Sequence, residues 1–353
     1  MKFSTFQLVH WPAGLTHEQV YAREMAVVEA AEELGFHGVW LAEHHFRNYG
    51  ICPNIMTFAA FVAARTKQVR IGSAIVVLPL HHPIRAAEEA AFVDVLSSGR
   101  LDYGFGRGYQ SVEFNGFALS LEEARARTDE ALDILVQAWT QDRVEHAGRF
   151  HRIDSVAIYP KPVQKPHPPL FVAAVSPETV EHYARKGVPF LAEGLATFGR
   201  LKRAAEVYRR VAAEHGFDPD AGAIGAMRSV CIAETAGEAL ERAAAMSALD
   251  PTFINQQSAP VDRQGRFVKG YEFWEKRYLS GNASISLDFY RENIVIAGDP
   301  ARVVEQIRQL EGFGYKQILC NFGHDPEVVR RSMRLFAAEV MPHFQTPERL
   351  AGA

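Results

Sequence analysis

The chain of 353 residues contains few cysteines and no dense block of positive charge. Its three cysteines, Cys52, Cys231 and Cys320, are far apart and lack CxxC spacing, which argues against a disulfide framework and against a structural zinc site. The formal net charge is −4, so the composition does not indicate a nucleic acid or an anionic membrane as a partner. These deficits favour a protein with reduced thiols that acts on small molecules.

Long hydrophobic runs are also missing from the sequence. No apolar segment reaches about 18 residues, the length that a membrane-spanning helix needs. Met1 and Lys2 lead directly into a strand-like segment, without the apolar core and the small-residue cleavage site of a secretory signal. We therefore expect a soluble, cytoplasmic protein.

The sequence does contain a regular alternation of short apolar strands and amphipathic helices. Four such βα units fall within the first 140 residues, and this alternation is typical of a parallel sheet. Four more follow, which predicts an α/β fold, a (β/α)₈ TIM barrel with insertions, ahead of a doubly wound open sheet. The predicted strands cover residues 3–9, 38–41, 70–77, 101–105, 169–175, 189–191, 227–233 and 317–321.

Two segments interrupt this alternation. Residues 141–169 are short polar and β-like pieces followed by a proline-rich stretch, and we interpret them as a surface insertion. Residues 251–293 form a long segment with several glycines and aromatic residues, and loops of that length are usually functional lids or disordered. The prediction is one domain, residues 1–353, with an insertion at 141–169 and a mobile, lid-like insertion at 251–293.

A dinucleotide-binding fingerprint is incomplete in this chain. The segment from Gly104 to Tyr109 begins like GxGxxG, but Tyr109 stands where the last glycine belongs. The first strand is not followed by such a loop either. The sequence therefore argues against a Rossmann domain.

Three ionisable side chains, Glu43, His44 and His45, stand where the second predicted strand ends. In a barrel this is the face that carries the catalytic residues. Neighbouring strand residues point to opposite faces, so His44 and His45 are poorly placed to share a metal, and no metal site is predicted. One interpretation is a general base with Glu43 orienting an imidazole, and the other is a pair of histidines that only hydrogen-bond within the barrel rim.

Two further segments are candidates for binding an anion. Arg107 lies between glycines after the fourth strand, where its guanidinium could meet a phosphate. Ser176 is a plausible N-cap with Thr179 in the first helical turn, and the free N–H groups of a helix start attract anions. An exposed arginine in a tight turn and a capped helix without ligand are the ordinary alternatives, but both segments fall on the same barrel face and together favour a phosphate site.

Two other histidines follow the third strand, at His81-His82-Pro83, and we expect them in an exposed turn. Trp40 lies within an apolar strand and is expected in the core.

Taken in order, Glu43-His-His-Phe46, Arg107-Gly108 and Ser176 with Thr179 resemble the bacterial luciferase family of flavin-dependent monooxygenases, especially its α subunits. The likeness begins at Met1-Lys2-Phe3 and returns at Met341-Pro342, so it covers nearly the whole chain.

This resemblance implies a two-component enzyme in a TIM barrel. A separate flavin reductase supplies FMN as FMNH₂, which reacts with O₂ to a flavin C4a-hydroperoxide and oxygenates a small, apolar organic substrate. His44 would be the catalytic base, with His45 supporting the flavin site and Glu43 behind it. Ala74 and Ile75 would be joined by a non-prolyl cis peptide beneath the flavin. The implied cofactor-binding residues are Ala74, Ile75, Gly106, Arg107, Val175, Ser176 and Thr179.

The sequence departs from the luciferase pattern at two of these positions. Gly106 stands where luciferase has a reactive cysteine, and Val175 stands where it has a glutamate, so light emission and long-chain aldehyde specificity do not follow from the resemblance. Five residues are candidates for the substrate pocket: Trp11, Phe46, Tyr109, Glu113 and Phe114.

The resemblance also implies an assembly and leaves alternatives. Neighbours of His82 and Glu88 match the family's dimer interface, so we expect a homodimer. A deazaflavin-dependent, hydride-transferring oxidoreductase and a non-catalytic flavin-binding homologue remain the alternative functions.

Overall fold

Eight parallel strands close into a barrel in the computed structural model, which describes residues 1–174, 176–253, 259–272, 275 and 286–344. The ring passes in order through the strands at residues 2–7, 38–41, 70–73, 101–106, 170–173, 190–192, 225–232 and 317–321, and the last strand pairs with the first. The prediction of a (β/α)₈ TIM barrel is confirmed. The strands are β1 (Lys2–Gln7), β2 (Gly38–Leu41), β3 (Arg70–Ser73), β4 (Val76–Val77), β5 (Leu101–Gly106), β6 (Val144–Ala147), β7 (Arg152–Val156), β8 (Leu170–Ala173), β9 (Phe190–Ala192), β10 (Gly225–Ile232), β11 (Ile296–Gly298) and β12 (Gln317–Asn321).

Helices surround the barrel, and many begin at a side chain that caps the free N–H groups of the first turn. Thr16 forms a capping box with Gln19, and Ser176 accepts from the backbone of Thr179. The helices are α1 (His17–Glu33), α2 (Ile55–Arg65), α3 (Pro83–Leu96), α4 (Ser111–Gly116), α5 (Ala124–Thr140), α6 (Pro177–Ala184), α7 (Phe198–Glu214), α8 (Ala236–Phe253), α9 (Leu287–Asn293), α10 (Pro300–Gly312) and α11 (Pro326–Glu339). Among the described helices, none is long and apolar enough to cross a membrane.

Large side chains fill the inside of the barrel. Trp40 is 1% exposed and meets Phe171 edge to face, with ring centroids 5.3 Å apart. Gly72 on the neighbouring strand leaves room for this indole, because a Cβ there would lie 2.2 Å from the Trp40 ring. The expectation that Trp40 belongs to the core is confirmed.

Residues 144–156 form an antiparallel hairpin of β6 and β7 outside the barrel sheet. Residues 254–258, 273, 274 and 276–285 of the predicted lid-like segment lie outside the described residues.

The sequence prediction did not include the strand β11 or the helices α4, α9 and α10, of which α10 is the longest. β11 pairs with β10 outside the barrel ring, and α10 packs between α7 and α11. A strand of three residues is too short to show a period, which explains the omission. Helix α10 had a readable signal, since Asp299 is its N-cap and Pro300 its first residue.

Candidate active site

The first part of the candidate site is a buried carboxylate at the end of β2. Glu43 is 2% exposed, and its Oε1 lies 3.0 Å from His45 Nε2 and 2.9 Å from His81 Nε2. The backbone N–H of Val77 donates to its second oxygen at 3.2 Å. Glu43 therefore ties the end of β2 to the turn that follows β4.

This arrangement corrects one expectation. His81 does not lie in an exposed turn, because the 3₁₀ turn Leu78–Leu80 brings its ring back onto Glu43, and the side chain is only 19% exposed.

The pKa values of this pair move in opposite directions. Burial alone would raise the pKa of Glu43, but the hydrogen bonds from His45 and His81 outweigh it and lower that pKa. Burial would lower the pKa of His81, yet its hydrogen bond to Glu43 raises that pKa. The carboxylate and an imidazolium thus stabilise each other.

The second part of the site surrounds His44. Its Nδ1 lies 3.0 Å from Glu113 Oε1 and 2.9 Å from Gln110 Nε2. Arg47 donates to Gln110 Oε1 at 2.9 Å, which turns the amide NH₂ of Gln110 towards His44. When Nδ1 carries a proton, it can donate to the Glu113 carboxylate. When it carries none, it can accept from the amide NH₂ of Gln110.

The position of His44 is also fixed through its backbone neighbours. Glu113 is 1% exposed and accepts from the backbone N–H of His45 at 3.1 Å, so α4 holds both residues after β2. The His44 ring packs against the Tyr49 ring with centroids 4.6 Å apart. Nε2 of His44 has no hydrogen-bond partner among the residues that the structure describes. That nitrogen is therefore the one left for a ligand.

The third part of the site is a pair of arginines at the start of α6. Ser176 Oγ donates to Thr179 Oγ1 at 3.0 Å, and Arg125 Nη2 donates to the same hydroxyl at 3.1 Å. Burial lowers the pKa of Arg107, and the positive charge of Arg125 adds to that effect. Neither guanidinium forms an ion pair with a carboxylate in the described part of the chain. Two cations, two hydroxyls and a helix start therefore converge, and the exposed carboxylate of Glu272 acts on Arg107 without forming an ion pair with it.

Arg125 was missed by the sequence reasoning. It lies on the first turn of α5, eighteen residues after Arg107, within a run of alternating charges that looks like a solvated helix face. Only the packing of α5 beside α6 shows that it points to Thr179.

Residues of the 259–272 segment cover Arg107. The carbonyl of Gly270 accepts from Arg107 Nη2 at 2.5 Å, and the guanidinium lies 4.0 Å from the centroid of the Tyr271 ring. The Tyr271 hydroxyl donates to the carbonyl of Gly108 at 2.8 Å. A cation–π contact and two hydrogen bonds thus fasten this segment over the arginine.

The strands between these two clusters carry the other predicted cofactor positions. The bond between Ala74 and Ile75 is a cis peptide, as the resemblance implies. A Cβ at Gly106 would lie 2.4 Å from Ile75 Cδ1, so the Ile75 side chain occupies the space that a larger residue at 106 would need. Val175 lies outside the described residues.

The predicted pocket residues are not all brought together. Tyr109 is half-buried beside the cluster that contains Phe114 and Tyr271. Phe46 is 60% exposed and packs on Phe117 at the outer rim. The Trp11 indole donates to the carbonyl of Leu15 at 2.7 Å, near the start of α1, and no described contact joins it to His44.

Comparison with known proteins identifies relatives along the whole chain. The model of the family described as luciferase-like monooxygenase matches residues 1–317. The uncharacterised protein y4vJ of Sinorhizobium fredii is 31% identical, covering 98% of each chain. The alkanal monooxygenase alpha chain of Photobacterium leiognathi is 29% identical over 99% of this chain and 100% of its own.

Solved structures give the same result for the fold. The monooxygenase RslO1 from Streptomyces bottropensis superposes with a TM-score of 0.80 at 30% identity, covering 98% of this chain and 100% of that one. The oxygenating constituent of 3,6-diketocamphane monooxygenase from Pseudomonas putida, in complex with FMN, also has a TM-score of 0.80. Its coverage is 98% of this chain and 99% of that one, and its identity of 19% supports the fold alone.

The Glu43–His81 pair predicts a pH-dependent stability. Because the pKa of His81 is raised in the folded state, His81 stabilises the fold fully at pH values below 6.5, its ordinary pKa. This contribution is lost as the pH rises through the folded-state pKa. Because the pKa of Glu43 is lowered in the folded state, Glu43 stabilises the fold fully at pH values above 4.5, its ordinary pKa. This contribution is lost as the pH falls through the folded-state pKa. Both contributions to stability are therefore present between pH 4.5 and pH 6.5.

Glu43→Gln should lower the free energy of unfolding at pH 5.5 by about 1.5 to 3 kcal/mol, the usual range for a hydrogen bond to a charged group. The loss should be smaller at pH 9, because His81 loses its positive charge as the pH rises through its raised pKa. Urea denaturation at the two pH values measures the difference, and Glu33→Gln, an exposed carboxylate on α1, is the control. Equal losses at both pH values would contradict the assignment.

Proposed function

The chain belongs to the luciferase-like monooxygenase family, and from that premise we propose that it is a two-component, FMN-dependent monooxygenase. In this proposal a separate flavin reductase delivers reduced FMN, and O₂ is used to oxygenate a small, apolar organic substrate. The observation that carries the proposal is the pair of arginines at the start of α6, which lies on the same barrel face as His44.

The residues present fit a flavin phosphate. Arg107 and Arg125 offer guanidinium donors, and Ser176 and Thr179 add hydroxyls at a helix start. Both guanidiniums are half-buried and have no ion-pair partner in the described residues, so an incoming phosphate would stabilise them. The Nη2 of Arg107 that now donates to the Gly270 carbonyl would be shared with, or released to, the phosphate.

The segment 259–272 is proposed to close the phosphate end of the site. Tyr271 lies on Arg107 and, with Val268, packs against the buried Phe114. Such a cover excludes water, which protects a reactive reduced cofactor from side reactions. This segment belongs to the predicted mobile lid, 251–293.

His44 is the proposed catalytic residue. Reduced FMN, when bound, supplies the electrons that activate O₂. His44 Nε2 would take or return a proton, while Nδ1 stays hydrogen-bonded in either state, to Glu113 or to Gln110. Glu113 and Gln110 are positioning residues in this scheme, and Glu43 positions His45.

Ala74, Ile75 and Gly106 are the residues that would hold the flavin ring. No light emission is proposed, because Gly106 offers no side chain beside the ring. Val175 and Trp11 remain predicted contacts of cofactor and substrate, and Phe46, Tyr109 and Phe114 remain predicted aromatic walls of the substrate pocket. Alkanals are the first substrates to test, since a relative that matches over the whole chain is described as an alkanal monooxygenase.

The phosphate assignment is tested by comparing FMN with riboflavin, which lacks the phosphate. Arg107→Ala and Arg125→Ala should each weaken FMN binding by about 10- to 100-fold, the loss of one hydrogen bond between charged groups. Riboflavin affinity should stay unchanged. Fluorescence titration of both flavins measures the constants.

Arg127→Ala is the matched control, because Arg127 lies two residues further along α5 but pairs with Glu123. If Arg127→Ala weakens FMN binding as much as the other two variants do, or if those variants weaken riboflavin binding in parallel, the arginine pair does not bind the phosphate. Tighter binding of a reduced deazaflavin than of reduced FMN would favour the hydride-transfer alternative.

A homodimer is the proposed assembly. An apolar surface on α2 and α3 exposes Phe61 at 49%, Phe92 at 54% and Leu96 at 49%, although the two helices are otherwise well packed. Large exposed apolar side chains grouped on neighbouring helices mark an interaction surface. A second copy of the chain is the proposed occupant of that surface.

Light scattering should give twice the chain mass of 39.3 kDa for the wild type. Phe92→Lys combined with Leu96→Lys should shift the protein to the mass of one chain, while Phe289→Lys, an exposed phenylalanine on α9, should not. A monomeric wild type, or a double variant that remains dimeric, would refute this interface.

A further inference from the structure

A second cavity lies away from the arginine pair, between the barrel wall and two outer helices. It has an empty volume of about 800 Å³, part of which is open to solvent. Residues of β1, β12, α1 and α11 line it, so it occupies the layer between strands and helices. None of the cofactor positions proposed above lines it.

Glu24 is the acidic residue of this cavity. It projects from α1 with part of its surface open to the cavity, and no hydrogen bond or ion pair joins its carboxyl to another described residue. Burial raises the pKa of Glu24 to about 7. A carboxyl in such a place is normally paired, so its isolation points to a missing positive partner.

The other polar groups of the cavity are neutral hydrogen-bonding side chains. Burial and the neighbouring His10 lower the pKa of His324 to about 4, so this imidazole is uncharged near neutral pH. Gln7 and Asn321 also line the cavity; the Gln7 amide is hydrogen-bonded to the Thr5 hydroxyl, and the Asn321 side-chain oxygen accepts from the backbone N–H of Gly323 at 3.0 Å. Their carbonyl oxygens and an imidazole nitrogen are acceptors that an ammonium group can use.

Charged groups of the protein also surround Glu24. Arg23 on α1 and Arg330 on α11 line the cavity but are exposed, and Arg330 lies 3.3 Å from Glu327. The thiols of Cys320 and Cys52 are neutral, because burial raises the pKa of each. Solvent screens the two arginines, and neither pairs with Glu24.

We propose that this cavity binds a small primary alkylamine in its ammonium form, with Glu24 as the counter-ion. The ammonium group would donate to the Glu24 carboxylate and to the acceptors of His324 and Asn321. The alkyl chain would lie against apolar side chains that line the same cavity: Leu8, Val20, Val27 and Val329.

The site is next to the candidate active site without being part of it. His10 Nδ1 lies 3.3 Å from the carbonyl of Tyr49, and the Tyr49 ring packs on His44. The rings of His10 and His324 are 5.0 Å apart. None of the residues proposed to bind the flavin lines this cavity, so the inference does not depend on the proposed function.

Calorimetric titration of the whole protein with n-butylammonium chloride tests the proposal. The affinity should be about tenfold higher at pH 8 than at pH 6, because the carboxylate fraction of Glu24 rises through a pKa of about 7 while the amine stays protonated. n-Butanol and n-butyrate, which match the chain without the positive charge, should bind at least about tenfold more weakly.

Glu24→Gln keeps the size of the side chain and removes its charge. This variant should abolish the pH dependence of binding and weaken the binding of butylammonium at least about tenfold. Glu33→Gln, an exposed glutamate on the same helix, should leave both unchanged. Equal binding of butanol or butyrate, or a wild-type affinity that does not change between pH 6 and pH 8, would overturn the proposal even if the Glu24 variant failed to fold.

Discussion

All eight strands of the barrel run in the same direction, and this constraint brings the candidate site together. The carboxyl ends of β2, β5 and β8 open onto one face, so residues far apart in the chain meet there. Glu43 and His44 follow β2, Arg107 follows β5, and Ser176 follows β8. The helices after these strands supply the supports, since α4 carries Glu113 and α5 carries Arg125.

Electrostatics divides this face into two parts with different chemistry. At one part, buried carboxylates are each hydrogen-bonded to imidazoles, so protons can be held at defined nitrogens. At the other, Arg107 and Arg125 lie close together without a carboxylate partner in the described residues. A ligand with a reactive ring and an anionic tail matches this division, and the proposed cofactor, FMN, is a ligand of that kind.

Sequence reasoning predicted the barrel because apolar strands and amphipathic helices have distinct periods, and because the strand ends carry polar clusters. It located Glu43, His44, Arg107 and Ser176 by their place after strands. It could not find Arg125, whose role depends on how α5 packs beside α6. It also placed His81 in an exposed turn, because the fold-back of a 3₁₀ turn onto Glu43 leaves no period in the sequence.

The chemistry attributed to His44 is tested most directly by the origin of the oxygen in the product. Wild type and His44→Ala are supplied with ¹⁸O₂, FMN, NADH, a separate flavin reductase and a panel of alkanals, and the masses of the products are measured by mass spectrometry. The account predicts one ¹⁸O atom per product molecule, formed at least about 100-fold more slowly by His44→Ala, since general acid–base catalysis contributes at least that much. A product without ¹⁸O, no product from any substrate of the panel, or equal rates for the two proteins would contradict it.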